Sequence, residues 1–259
     1  MNPTTEHQGL ELSIVVPLYN EEESLPELVD QIKRALPSRS FELIFVDDGS
    51  TDASWNIIEQ LVKANNQIKG ISLGVNQGKS YALQAGFNEI QGQYVVTMDA
   101  DLQDDPAEIE QMICTLESGY DLVSGWKKER FDPVSKTIPS KFFNWVTRRA
   151  AGIHLHDFNC GLKAYRADVL THIQLYGELH RYIPLLAKRA GFGRITEQVV
   201  QHRARKYGTT KFGLSRFING FLDLITILFV QKYLQKPMHF FGTIGVLLMA
   251  VGSLITFYL

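Results

Sequence analysis

From residue 12 onward the chain alternates short apolar runs with longer stretches in which apolar positions recur every three or four residues. LSIVVPLYN is followed by an amphipathic stretch over 21–36, and FELIFVDDGS by one over 51–64. IKGISLGVN leads into 79–89, QYVVTMDADLQ into 106–117, and YDLVSGW follows. Short β-prone runs alternating with helical periodicity predict βαβ units and a mainly parallel, twisted sheet. Ligands of such sheets bind beyond the carboxyl ends of the strands. The polar clusters YNE, DDGSTD, NQGKS and DADLQ all fall at that edge.

After Trp126 the pattern loosens into a basic segment, KKERFDPVSK, a helix-like stretch over 140–151 and the loop HLHDFNCG. A further helical stretch over 181–189 leads to HRARKYGTTK. Over 216–230, Arg216, Asn219, Gly220, Asp223 and Thr226 recur against Phe217, Phe221, Leu224, Leu228 and Phe229. That is a helix with a wide apolar face, suited to a membrane interface and also to an ordinary core. Residues 240–259, FFGTIGVLLMAVGSLITFYL, carry no charge. At 1.5 Å per residue such a run is about as long as a bilayer core is thick, roughly 30 Å. The expected division is a catalytic domain over 1–212, a juxtamembrane helix over 213–235 and a transmembrane helix over 236–259, with a further span expected beyond. Lys232 and Lys236 precede the apolar run, which by the positive-inside rule keeps the preceding domain cytoplasmic.

The rest of the composition narrows the class. A chain of 259 residues that is 45% hydrophobic can bury a sizeable core. A formal net charge of -2 gives no general drive toward nucleic acid, so an anionic partner must meet local basic clusters. Cys114 and Cys160 stand far apart without a C-x-x-C, which argues for a reducing compartment and against a disulfide framework or zinc site. Residues 1–9 lack the apolar segment of a signal peptide.

The densest chemistry lies in TMDADLQDDP, where Asp99, Asp101, Asp104 and Asp105 fall within seven positions. Carboxylates this close raise one another's pKa unless a cation, hydrogen-bond donors or solvent compensates them. An EF-hand is disfavoured because Asp104 stands where the turn glycine belongs. GVNQGKS is one residue short of a phosphate-binding P-loop, and no G-x-G-x-x-G follows the first strand. In extended geometry Asp99 and Asp101 project to one side. They form a candidate Mg2+ or Mn2+ site with Gln103 as a neutral oxygen ligand, completed by diphosphate oxygens and water. Asp105 before Pro106 reads as an N-cap followed by proline at the first helical position, and Asp104 as part of the turn. Spacing alone leaves the metal site and a solvated acidic loop both open.

VVPLYNEEESL, VDDGSTD, NQGKSYAL, MDADLQDDP and GLKAYRADV, in this order, resemble family 2 glycosyltransferases with the Rossmann-like GT-A fold. The resemblance is to the dolichyl-phosphate mannose synthase type, including bacterial polyprenyl-phosphate glucosyltransferases, and covers roughly 12–211. It implies a nucleotide pocket in which Pro17, Tyr19 and Glu21 line base and ribose while Asp47 or Asp48 accepts from a base N–H. Lys79 either approaches the nucleotide or is a solvated lysine at a helix start. Arg205 and Lys211 match the pattern R-x-x-G-x-[ST]-K that closes over the diphosphate, as guanidinium forks suit such oxygens. Lys127, Arg130, Ser140 and Lys141 are the group available to the phosphate of a polyprenyl phosphate acceptor, or alternatively to anionic lipid. Asp157 matches the acidic residue before G-[FL]-x-x-x-R and orients the acceptor or serves as base.

The resemblance therefore implies a membrane-anchored, inverting, metal-dependent transferase. It moves a hexose, with UDP-glucose the favoured donor and GDP-mannose the alternative, to polyprenyl phosphate at the cytoplasmic face of the inner membrane. Asp101, Asp157 and Arg205 are the expected catalytic residues, and Asp99 joins the nucleotide contacts. A processive polysaccharide synthase is disfavoured by the lack of Q-x-x-R-W. A non-catalytic sugar-nucleotide-binding membrane protein stays open, as does assembly into a homo-oligomer.

Overall fold

The computed structural model describes residues 9–128, 147–149, 152–207, 222, 226 and 237–258. Two compact units are present, Met1–Phe212 and Gly213–Leu259. The first is a mixed sheet of seven strands. These are β1 (Leu12–Leu18), β2 (Phe41–Asp47), β3 (Ile68–Ser72), β4 (Tyr94–Thr97), β5 (Leu122–Trp126), β6 (Lys163–Arg166) and β7 (Ile195–Val199). Their order across the sheet is β3-β2-β1-β4-β6-β5-β7.

Every residue of β1 and β2 is buried, the mark of central strands covered on both faces. Alternation sends Ile14, Val16, Leu43 and Phe45 to one face, where they join a single apolar cluster. Helix α1 (Leu25–Ala35) closes over that cluster with Leu25, Leu28, Val29 and Ile32, a stripe at helical spacing. Ile58 of α2 (Ser54–Ala64) and Ile109, Met112, Ile113 and Leu116 of α4 (Glu108–Glu117) complete it. Helix α3 (Lys79–Phe87) covers the other face so closely that a Cβ on Gly86 would lie 2.4 Å from Val15 Cγ1. Short helices α5 (Ala167–Thr171) and α6 (Ile183–Arg189) follow, the latter preceded by a 3₁₀ turn at Leu179–Tyr182.

The expected parallel sheet holds for β1 to β4 and for β5 with β7. Strand β6 departs from it, running antiparallel between β4 and β5. Lys163 opens β6 opposite Thr97 and Ser124. The antiparallel insertion thereby starts a strand at the edge where its neighbours end, and delivers residues 157–163 to that edge.

At the opposite edge the strand starts are tied by a buried polar cluster. Ser13 Oγ donates to Glu42 Oε1 at 2.6 Å, Gln91 N–H reaches the same oxygen at 2.7 Å, and Lys69 Nζ lies 2.7 Å from Glu42 Oε2. Gly92 N–H donates to Ser13 Oγ at 2.8 Å, and a Cβ there would come within 2.5 Å of Ser13 N, so only glycine fits.

In the second unit α7 (Pro237–Tyr258) is 22 residues long, about 33 Å at helical rise. Its segment Phe240–Tyr258 has mean hydropathy 2.1 and none of it is buried in protein. It is a candidate membrane span by length and composition. The interfacial helix expected over 213–235 lies outside the described residues, apart from Leu222 and Thr226, whose hydroxyl donates to the Leu222 carbonyl as in a helix turn.

Candidate active site

The carboxyl ends of β1, β2 and β4 converge with the loop before β6 and the stretch after β7. After β1 the chain turns at Asn20, which has φ of 53°, a conformation asparagine tolerates better than most residues. Asn20 N–H donates to Ser50 Oγ at 2.8 Å, and its side-chain oxygen accepts from Thr51 N–H at 2.8 Å. Glu21 N–H donates to Ser54 Oγ at 2.9 Å. The loops after β1 and β2 are thus interlocked, fixing Tyr19 and Glu21 beside the DDGS turn, with Pro17 inside β1 opposite Val46.

The two acids ending β2 do different work. Asp48 accepts Gln77 N–H at 2.7 Å on one oxygen and Gly78 N–H at 2.9 Å on the other, so both are committed to the loop entering α3. Asp47 accepts Ser50 N–H at 3.1 Å through Oδ1. Gly49, with φ of 71°, lets the turn pass Val75, where a Cβ would meet backbone at 2.5 Å.

Strand β4 stops at Thr97, so Asp99 and Asp101 stand on a turn rather than along an extended strand. Leu102 carries φ of 60° with its side chain buried. Lys79 Nζ donates to Asp99 Oδ1. Arg205 Nη2 donates to Asp101 Oδ2 at 2.8 Å and its Nη1 lies 3.5 Å from Glu21 Oε1. Gly161 lies against Asp99, and a Cβ there would approach its Oδ2 to 2.4 Å, so glycine at this position is what admits the carboxylate.

Burial pushes the Asp99 carboxyl up, but Lys79, aided by Lys127 and Lys163, outweighs it and holds the group below its ordinary value. Asp101 goes the other way: burial and then the Asp99 charge raise it, with Arg205 opposing. A buried carboxylate, Asp101, and a half-buried one, Asp99, that repel each other form a site where one more cation is favourable. Among the described residues no group of three His, Cys, Asp or Glu side chains is placed to hold an ion. The arrangement fits a hard divalent cation that takes one or two carboxylates and completes its shell with phosphate oxygens and water. Gln103 adjoins this pair, its backbone N–H donating to Asp101 Oδ1 at 3.2 Å. Its side-chain Nε2 donates to the Arg203 carbonyl at 3.3 Å, and its backbone carbonyl accepts Arg203 N–H at 2.9 Å.

Asp104, expected as part of the turn, is fully buried, 2.7 Å from Lys127 Nζ. Lys127, expected at the acceptor phosphate, is mostly buried in that pair. Burial is the largest influence and would depress its ammonium, but Asp104 and the surrounding groups together outweigh it and raise it. Asp105 does accept Ala107 N–H at 3.1 Å, and it also pairs with Arg203, but α4 proper starts at Glu108. Helix ends shift by such amounts whenever the first turn is tighter than α.

Asp157 is buried and accepts Asn159 N–H at 3.0 Å. Beside it Cys160 is buried, its thiol pushed up to about 12 chiefly by burial, which keeps it neutral. Arg130, Ser140, Lys141 and Lys211 lie outside the described residues. Sequence reasoning passed over Lys163 and the Ser80–His180 pair, in which Ser80 Oγ lies 3.0 Å from His180 Nδ1 and accepts His180 N–H at 3.0 Å. A lysine inside an otherwise apolar strand was the available signal for the first; the second joins residues too distant in sequence to leave one.

The comparisons with known proteins agree with this architecture. Residues 13–173 match the family described as Glycosyl transferase family 2. The chain is 42% identical over 258 residues to the dodecaprenyl-phosphate galacturonate synthase of Rhizobium johnstonii, covering 97% of this chain and 76% of that protein. It is 39% identical over 219 residues to an undecaprenyl-phosphate 4-deoxy-4-formamido-L-arabinose transferase of Shewanella sediminis, covering 83% of this chain and 66% of that protein. Among solved structures, the glucosyl-3-phosphoglycerate synthase of Mycobacterium tuberculosis with uridine diphosphate superposes with a TM-score of 0.63 at 23% identity, covering 85% of this chain and 79% of that one. The same enzyme with Mn2+, UDP-glucose and glycerol 3-phosphate gives 0.61 at 23% identity with the same coverage. At that identity the likeness speaks for the GT-A fold. With well over half of its length matched, the chain belongs to glycosyl transferase family 2.

Proposed function

We propose that this glycosyltransferase moves a sugar from a nucleoside diphosphate donor to polyprenyl phosphate at a membrane surface, with inversion and with Mg2+ or Mn2+. The observation that carries the reading is the meeting of Asp99, Asp101, Lys79 and Arg205 at the carboxyl edge of the sheet. The polyprenyl acceptor is supported by the names of both relatives, and the membrane by the apolar helix α7. Lys232 and Lys236 before that helix favour a cytoplasmic face of the inner membrane. Uridine diphosphate is the proposed leaving group, since the structural neighbour was crystallised with it. Glucose, the expected sugar, draws no support from the relatives' names.

Asp99 and Asp101 would hold the cation, which when bound supplies charge to the departing diphosphate. Arg205 leaves Asp101 and Glu21 for the diphosphate and opposes the negative charge growing on its bridging oxygen. An acceptor phosphate oxygen attacks C1 as the C1–O bond to the diphosphate breaks, and the electron pair departs with the nucleotide. The acceptor is largely dianionic at neutral pH, its second pKa being about 6, so no strong base is needed. Asp157, buried and hydrogen-bonded, then orients rather than deprotonates. Purified full-length protein with undecaprenyl phosphate and a panel of UDP- and GDP-sugars is expected to yield a lipid-linked sugar, and EDTA to abolish it. No product with any donor, or full turnover in EDTA, would refute the reading.

A further inference from the structure

Along the sheet the strands run β3, β2, β1, β4, β6, β5, β7. The loops proposed for the nucleotide follow β1 and β2, and Asp99 and Asp101 follow β4. Beyond β6, where β5 and β7 end, stands a polar group that the donor site does not use. Its centre is His156. Glu197 of β7 grips that residue twice, Oε2 accepting the His156 N–H at 2.6 Å and Oε1 facing ring Nδ1. The ring lies flat on Trp126, the last residue of β5, with centroids 4.1 Å apart and planes 14° from parallel. An ionised carboxylate only accepts, so Nδ1 carries a proton and the orientation of the ring is set. Nε2 is then the open end. The side chain is 51% exposed, and Nε2 has no hydrogen-bond partner among the described residues. The loop does not need this ring to hold its shape. Arg148 Nε donates to the Leu155 carbonyl at 3.0 Å, Lys188 Nζ to the Gly152 carbonyl at 2.7 Å, and Ser124 Oγ to the Asp157 carbonyl at 3.4 Å. Arg148 has no carboxylate partner among the described residues, so it adds positive charge one residue from His156.

We propose that His156 receives the acceptor phosphate, its Nε2 sharing one proton with a phosphate oxygen while Glu197 and Trp126 hold the ring in place. The inference rests on the transferase reading given above. An attack that inverts C1 comes from the side opposite the departing diphosphate. With the nucleotide at the β1 and β2 loops and the diphosphate at Asp99 and Asp101, that side is the β6, β5 and β7 end of the edge, where His156 stands. The residue after it is Asp157, and the same loop runs on to Gly161, which lies against Asp99. Lys127, the cation expected at this phosphate, is held by Asp104 instead. Imidazoles and phosphate monoesters both titrate near neutrality, so one proton lies between them, as imidazolium against dianion or imidazole against monoanion. Either form makes the same hydrogen bond. As an unprotonated phosphate oxygen bonds to C1 and the diphosphate leaves with the electron pair, the proton rests on Nε2 and passes to water when the product departs.

The test uses two substitutions with opposite losses in full-length protein. His156→Phe keeps a flat ring on Trp126 and has no donor, whereas His156→Gln keeps a donor near Nε2 and gives up the stack. Each is titrated calorimetrically with farnesyl phosphate, a soluble prenyl phosphate, and assayed with undecaprenyl phosphate. His156→Phe is expected to raise the farnesyl phosphate Kd and the undecaprenyl phosphate KM by about ten- to a hundredfold, the worth of one charge-assisted contact. His156→Gln should raise both by less, and UDP affinity should match wild type in both variants. A Phe variant closer to wild type than the Gln variant overturns the proposal, because the ring would then serve only as packing. So does a fall in kcat with the acceptor KM unchanged, which a merely displaced loop would give. Sedimentation with phosphatidylglycerol vesicles separates the acceptor from lipid headgroups at large: weaker vesicle binding by His156→Phe at an unchanged acceptor KM also overturns it. Absence of lipid-linked product from every donor with wild type would strike at the transferase reading, and the farnesyl phosphate titration would still decide the role of His156.

Discussion

The two edges of the sheet both bury carboxylates, and they satisfy them differently. At the edge where strands begin, Glu42 is met by the Ser13 hydroxyl, the Gln91 N–H and a lysine from the neighbouring strand. Two of those partners are fixed by backbone or by a short side chain. At the edge where strands end, Asp99 and Asp101 are met by Lys79 and Arg205, long side chains from a helix start and a distant loop. Short, fixed donors hold a charge in place permanently, whereas long flexible cations can be exchanged for a ligand's. The first arrangement closes the fold; the second keeps acids ionisable and cations movable where a diphosphate must be received.

The sharpest way to break this contrast is Asp101→Asn. Because burial and the Asp99 charge already raise the Asp101 carboxyl, removing its charge relieves repulsion, and the folded state should melt at or above the wild-type temperature. Turnover should fall by about two to three orders of magnitude, the scale expected when charge stabilisation of a leaving group is lost. Circular dichroism melts and the lipid-linked sugar assay read the two effects separately. A variant that unfolds would move Asp101 to the structural class.

Lys127 tests whether every cation at the upper edge is exchangeable. Its pairing with fully buried Asp104 says that it is not. Lys127→Met leaves a buried carboxylate alone and should cost about 3–5 kcal/mol of stability, whereas adding Asp104→Asn should restore most of it. If Lys127 instead received the acceptor phosphate, Lys127→Met would keep its stability and raise only the acceptor KM. Arg205→Ala marks the movable extreme. UDP affinity, measured by calorimetry, should fall about ten- to a hundredfold, with little change in melting temperature because the guanidinium lies on an exchangeable loop.

These pairs also show what a sequence can carry. The parallel half of the sheet was legible because β1 to β4 and their helices each bury a face with its own periodicity, and DDGS and DADLQ fall where those strands stop. Strand β6 was not, since four residues opening with a lysine carry no alternation long enough to read. Asp99 and Asp101 were expected along an extended strand, whereas β4 ends at Thr97 before either of them. The burial of Asp104 was not legible, because its environment is decided by Lys127, which follows β5. Asp101 and Asp104 have the same chemistry and nearly the same neighbours in sequence; only the tertiary partner separates a ligand-facing acid from an internal one.

The smallest effect is expected at the opposite edge, where Glu42→Gln tests whether that cluster serves the fold alone. The amide oxygen can still accept from Ser13 Oγ and Gln91 N–H, so the hydrogen bonds that tie the strand starts survive. What is lost is the attraction to Lys69, whose side chain is 36% exposed and therefore screened by solvent. A pair open to water on one side contributes about 0–1 kcal/mol. For a chain of this size that shifts the melting temperature by about 2–4 °C at most. Because no residue of this cluster reaches the donor edge, kcat/KM for the lipid-linked product should match wild type within experimental scatter. A melting temperature that holds while turnover drops would show the two edges to be coupled through β1 and β2, and the separation between a structural and a functional edge would have to be given up.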